Sequence, residues 1–220
     1  MIRSRFLRSF TLVLATFATV SCADYSPTGP TSPLAPAQAQ DGLISGLLGL
    51  VTNLLGTVIK VIEFVYDPNG IPVTGVKWSE SHTNEVRTAS AYIGYSGGTL
   101  AIPGSDFTIT FPKGALSSTT YISITSDGNG YVSYDMKPHG IKFAKPVLVT
   151  QRLQNTAVYK TPTALKSFGA YFPQDPTMLG GILKALEIEK TTIFSGTTAG
   201  QAEVQVWELR HFSRYMLASD

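Results

Sequence analysis

The sequence predicts an all-β fold, an antiparallel β-sandwich over residues 72–220, preceded by a signal peptide, a Pro-rich tether and one apolar helix. Three observations predict the sandwich. Apolar and polar residues alternate in Phe107-Thr108-Ile109-Thr110-Phe111, in Tyr121-Ile122-Ser123-Ile124-Thr125 and in Val204-Gln205-Val206-Trp207-Glu208-Leu209, the period of a strand with one face buried. Turn-forming clusters punctuate these runs: Asp67-Pro68-Asn69-Gly70, Ser96-Gly97-Gly98 and Asp127-Gly128-Asn129-Gly130, with glycine and asparagine supplying the left-handed conformations tight turns need. Finally, about 150 residues suffice for one two-sheet core, and many short strands with Gly/Pro turns favour a sandwich.

The elements before it follow from composition. Arg3, Arg5 and Arg8 form a positive head, Phe10 to Val20 an apolar stretch, and Thr19-Val20-Ser21 lead into Cys22. That is the layout of a signal peptide over residues 1–21. Removing its three arginines from the 17 basic residues leaves 14 against 15 acidic ones, a net charge of −1. The sequence pI of 8.6 therefore belongs largely to the leader, and no basic field remains to hold nucleic acid.

Cys22 is the single cysteine, so no disulfide can form within the chain. Its place after small and apolar residues resembles the lipobox of bacterial lipoproteins, although Thr19 stands where leucine is commonest. The resemblance implies acylation of Cys22, hence membrane lipid as a partner. Ala23, rather than aspartate, after the cysteine implies the outer membrane of a Gram-negative bacterium.

Residues 22–41 read as a tether. Pro27, Pro30, Pro33 and Pro36 recur every third residue, the repeat of a polyproline II helix, which places their rings along one edge. Residues 42–64 then read as an apolar helix. Gly42 to Ile59 carries no charge, and Ser45-Gly46-Leu47-Leu48-Gly49-Leu50-Val51 matches Thr52-Asn53-Leu54-Leu55-Gly56-Thr57-Val58 at four of seven positions. On a helix its small residues fall on one stripe. Three placements fit: at a membrane surface, across a membrane, or packed on the downstream domain. A lipidated chain already has its anchor, which favours the first and third. Within the sandwich, Ile122 to Tyr134 reads as a hairpin, Leu179 to Leu186 as a helical turn rather than a strand, and Gln154 to Gly200 as a loosely patterned stretch.

Four segments occur in order: Gly97-Gly98-Thr99-Leu100, Phe111-Pro112-Lys113-Gly114-Ala115-Leu116, Pro138-His139-Gly140-Ile141-Lys142-Phe143-Ala144-Lys145-Pro146-Val147, and His211-Phe212-Ser213-Arg214-Tyr215-Met216-Leu217-Ala218. Together they resemble the ZU-five domain, a β-sandwich module of ankyrins, netrin receptors and many bacterial surface proteins. The resemblance covers Ala89 to Ala218. In some relatives a His-Phe-Ser tripeptide cuts its own backbone. By that resemblance Ser213 Oγ would attack the Phe212 carbonyl carbon while His211 takes the hydroxyl proton. In an extended strand His211 and Ser213 share a face. The structural alternative is a closing strand with Phe212 in the core and both neighbours facing water, which bacterial domains of this type often have without cleavage.

Other chemistry is weaker. His82, His139 and His211 lie far apart, without the spacing of a metal site. Asp127 and Asn129 resemble half a calcium loop, but the terminal glutamate is missing, and a turn is the better reading. Glu80, Ser81, His82 and Glu85 read as a solvated loop. No phosphate-binding loop or nucleophile elbow is present. Tyr92, Tyr95, Tyr121, Tyr131 and Tyr134 either line a ligand surface or cover a half-buried sheet. The sequence therefore leads to a lipid-anchored envelope protein with no cofactor and no enzymatic activity, acting structurally or by binding a protein or glycan partner. The alternative is self-processing at Phe212-Ser213.

Overall fold

The computed structural model describes residues 55–80, 82, 85–173, 183–196 and 199–220. The expected signal peptide, Cys22, the tether and residues 42–54 of the expected helix lie outside them. The described residues form β1 (Val58–Ile62), β2 (Val65–Gly75), β3 (Arg87–Ile93), β4 (Gly98–Ile102), β5 (Phe107–Phe111), β6 (Thr120–Ser126), β7 (Ser133–Lys137), β8 (Lys142–Arg152), β9 (Ser167–Phe172), β10 (Leu183–Ile188), β11 (Lys190–Phe194), β12 (Val204–His211) and β13 (Arg214–Ser219). A short 3-10 helix, Pro162–Lys166, precedes β9.

The strands make two sheets. The first has the order β1-β11-β12-β8-β5-β4 and the second β2-β10-β9-β13-β7-β6-β3. All ladders are antiparallel. The predicted alternation explains how they pack. Phe107, Ile109 and Phe111 of β5 point into the space between the sheets, and Ile122 and Ile124 of β6 meet them from the opposite side. Trp207 and Leu209 of β12 join the same core, as do Tyr215 and Leu217 of β13. The expected hairpin is formed by β6 and β7, with Ser126 opposite Tyr134.

A second core arises from closure. β2 pairs with β10, β10 with β9 and β9 with β13, while Thr74 and Gly75 of β2 return to pair with Ser219 and Ala218 of β13. These four strands form a ring. Val73, Phe168, Ala170, Phe172, Leu183, Ala185, Met216 and Ala218 fill it, so the outer face of this part of the second sheet is buried as well.

Three expectations are corrected. Val58–Ile62, the end of the expected helix over 42–64, is edge strand β1, paired with β11. Four β-branched residues in five, Val58, Ile59, Val61 and Ile62, favour a pleated strand over a helix. The sheets consequently begin before residue 72, because β2 starts at Val65 and absorbs Asp67-Pro68-Asn69-Gly70 as a bulge held by an Asn69 amide donating to Asp67 Oδ1 at 2.8 Å. Finally, Leu183–Ile188 is strand β10 rather than part of a helical turn, since Leu183 and Ala185 are needed inside the ring; residues 179–182 lie outside the described residues. Among the described residues, the loosely patterned stretch from Gln154 to Gly200 holds the 3-10 helix and three strands, β9, β10 and β11. Among the described residues no helix is long and apolar enough to cross a membrane.

Candidate functional site

The structure brings the four sequence segments together around the crossing between β12 and β13. Gly97 turns back onto β5 with a φ of +78°, and a Cβ there would lie 2.2 Å from the Phe111 carbonyl oxygen, so only glycine fits. The Gly114 amide donates to the Tyr95 carbonyl at 2.7 Å, which closes the turn after Phe111. Phe143 and Phe212 meet edge-to-face with centroids 4.9 Å apart, and each packs on Phe111, at 5.9 and 5.8 Å. Such aromatic contacts favour a fixed geometry beyond their burial. The Phe212 amide donates to the Ile141 carbonyl, and the Gly140 amide donates to the Phe212 carbonyl, both at 2.9 Å.

His211 ends β12 and Arg214 begins β13. Phe212 and Ser213 thus carry the chain from the first sheet to the second, and the extended closing strand expected across His211 and Ser213 is interrupted there. Phe212 is fully buried, as the structural alternative expected. His211 is only partly exposed and is engaged on the protein side: its Nε2 lies 3.0 Å from Glu187 Oε2, and the Tyr171 and His211 rings meet edge-to-face with centroids 5.0 Å apart. The Tyr215 hydroxyl donates to the His211 carbonyl at 2.9 Å and lies 3.2 Å from Nδ1. The Ser213 carbonyl accepts from the Met136 amide at 3.0 Å. Among the described residues no hydrogen bond joins the Ser213 hydroxyl to His211.

Beside this crossing runs another. Glu189 links β10 of the second sheet to β11 of the first, and its amide donates to the Gly169 carbonyl at 2.8 Å. Its carboxyl is buried with no conventional donor on either oxygen. Burial and then the neighbouring Glu187 charge push it well above the usual carboxylate range, with Glu208 acting in the same sense and Arg210 opposing. The Tyr215 phenol is also raised, by burial and then by Glu189 and Glu187. The corner thus holds the buried Glu189 carboxyl close in sequence to Glu187, whose Oε2 meets His211 Nε2, with the Tyr215 hydroxyl on the other side of the imidazole.

Its chemistry is incomplete for acyl transfer. Self-cleavage needs a base in contact with the nucleophile and donors at the developing oxyanion. The Gly140 amide occupies a donor position on the Phe212 carbonyl, but His211 is turned to Glu187 and Tyr215. Sequence reasoning missed Glu187 and Glu189. The signal available was their separation by two in Leu186-Glu187-Ile188-Glu189, which on an extended chain puts both carboxyls on one face.

The other histidines have separate partners. His139 pairs with Asp135. His82 stacks on Trp78 with centroids 4.1 Å apart, and burial followed by the Arg87 charge lowers its pKa, Asp106 opposing. Asp127 and Asn129 both accept from the Ser133 hydroxyl, at 2.9 and 3.2 Å, as turn residues. Among the described residues no group of three His, Cys, Asp or Glu side chains could hold a metal ion. The tyrosines divide: Tyr134 is buried and donates to Gln151 Oε1 at 2.6 Å, whereas Tyr92, Tyr95 and Tyr121 are exposed. No family model matches the chain, and no curated protein matches it.

Proposed function

We propose that the chain is an exported lipoprotein of the Gram-negative outer membrane, anchored through Cys22. Its ZU-five-like sandwich is held off the membrane by the tether over residues 22–41, where it serves as a structural or interaction module for a protein or glycan. The observation that carries the binding role is the outer face of β3 and β6. Tyr92 and Tyr121 stand side by side there, 74% and 52% exposed, with centroids 5.0 Å apart. Thr88 faces Thr125 and Ser90 faces Ser123 on the same side. Large aromatics left in solvent beside uncharged hydroxyls suit a partner surface or a sugar ring. The ZU-five reading rests on the four sequence segments, and their meeting at one crossing supports treating them as one unit.

Self-processing between Phe212 and Ser213 is the second reading, favoured by the Gly140 amide on the Phe212 carbonyl. One experiment tests both: the intact mass of the protein purified from bacterial membranes under denaturing conditions. A species that begins at Cys22 with added acyl mass and ends at Asp220 is the expected result. A chain ending at Phe212, with a separate peptide from Ser213 that Ser213→Ala abolishes, would replace the module by the processing domain. An unmodified amino terminus near residue 22 would remove the anchor.

A further inference from the structure

The open edge of the second sheet is β3, and we infer that two copies of the chain associate through it, β3 pairing with β3 antiparallel about Ser90. The ring closes the other end of this sheet, because β2 returns to β13. Among the described residues β3 pairs on one side only, with β6.

Edge strands are usually blunted against such pairing by lysine, proline, bulges or shortness. The first sheet follows that rule. β1 carries Lys60 and a register shift between Val58 and Lys60, and β4 is only five residues long. β3 has none of these devices. Its seven residues run in unbroken register with β6, from Arg87 opposite Ser126 to Ile93 opposite Thr120, with no proline and no lysine. Its one charge, Arg87, is drawn off toward the first sheet, where its guanidinium donates to the Gly104 carbonyl at 2.6 Å.

The strand is also self-complementary. Antiparallel pairing about Ser90 sets Ser90 opposite itself, Thr88 opposite Tyr92 and Ala89 opposite Ala91, while Arg87 meets Ile93. No like charges face each other, which is the condition that usually forbids a strand from pairing with its own copy. Exposed Val86, just before the strand, falls opposite Gly94, which has no side chain to oppose it. Pairing by backbone bonds is the mode in which an exposed edge accepts another strand, and the two-fold makes both edges satisfied at once.

Cysteine cross-linking of the full chain in detergent micelles tests this register. Directly opposed residues have Cβ atoms about 5 Å apart, close enough for disulfide formation. Under mild oxidation with copper–phenanthroline, Ser90→Cys is expected to give a covalent dimer roughly tenfold faster than Asn69→Cys, an exposed collision control on β2. The unsubstituted chain measures any background from Cys22. Thr88→Cys and Tyr92→Cys should each match the control alone, yet cross-link rapidly when mixed in equal amounts. Ser90→Cys dimerising no faster than Asn69→Cys would overturn the inference. So would a Thr88→Cys and Tyr92→Cys mixture that reacts no faster than its components.

Discussion

Gly169→Ala should be among the most damaging single-methyl additions to this protein. Gly169 lies in β9 of the second sheet, directly under the indole of Trp207 from the first. A Cβ at Gly169 would sit 2.4, 2.6 and 2.9 Å from Cδ2, Cγ and Cε3 of that ring. Carbon atoms rest about 3.5–4.0 Å apart, so the indole would have to retreat by roughly 1 Å. It has nowhere to go. Trp207 is fully buried, and its Nε1 donates to Gln205 Oε1 at 3.1 Å. Gln205 Nε2 in turn donates to the Ser167 carbonyl at 3.0 Å, tying the first sheet to the second. Overpacking of this kind costs about 1–3 kcal/mol, and an immobile aromatic puts the site at the upper end. Alanine's lower conformational freedom offsets about 0.5–1 kcal/mol. The net expectation is a loss of about 2 kcal/mol, a large share of the roughly 5–15 kcal/mol that holds a domain folded. Urea unfolding should show a lower midpoint at unchanged slope, and melting should fall by about 4–8 °C. Trp207→Phe in the Gly169→Ala background should recover part of the loss, because the two sites are coupled. A loss below about 0.5 kcal/mol, ordinary for a surface change, would refute the reasoning by showing that the sheets part freely at this point.

Phe212→Ala should cost about 3–5 kcal/mol, as for other fully buried phenylalanines, because it empties the place where Phe111 and Phe143 meet; calorimetry reads it directly. Glu189→Gln should raise stability at neutral pH by about 1–2 kcal/mol, the scale set by an imperfectly satisfied buried polar group. The folded protein holds the Glu189 proton more tightly than the unfolded chain, whose value is near 4.5. The contribution of that proton is therefore complete below pH 4.5 and declines as pH rises toward the raised folded value. In urea titrations across that window, Glu189→Gln should flatten the decline; an unchanged slope would mean that the carboxyl is ionised when folded.

The parts of the fold legible in the sequence were those in which apolar and polar residues alternate. Phe107, Ile109 and Phe111 alternate with threonines, and the inward set emerged as expected. Segments without that alternation were not legible. Val58–Ile62 follows a leucine-rich run and shows no strict alternation of its own, and such a stretch does not distinguish strand from helix. Leu183–Ile188 reads as helical until its partners β2 and β9 are known. The ring depends on Ala218 meeting Gly75, a contact between distant parts of the chain that no local pattern encodes. At the crossing, the sequence placed Phe212 in the core correctly. It did not reveal that His211 is engaged by Glu187, whose carboxyl arrives from β10.

The way β13 is held has a practical consequence for anyone looking for scission. Arg214 to Ser219 is laddered to β9 along its whole length, to β7 at its start and to β2 at its end. Tyr215, Met216, Leu217 and Ala218 have no exposed surface. A break before Ser213 would leave an eight-residue fragment clamped on both edges, like the small half of a split reporter that has already found its larger half. Gel filtration, native electrophoresis and scattering would all register one intact particle. The nick would become visible only once the complex is unfolded, and the released peptide should be able to rebind as the denaturant is withdrawn.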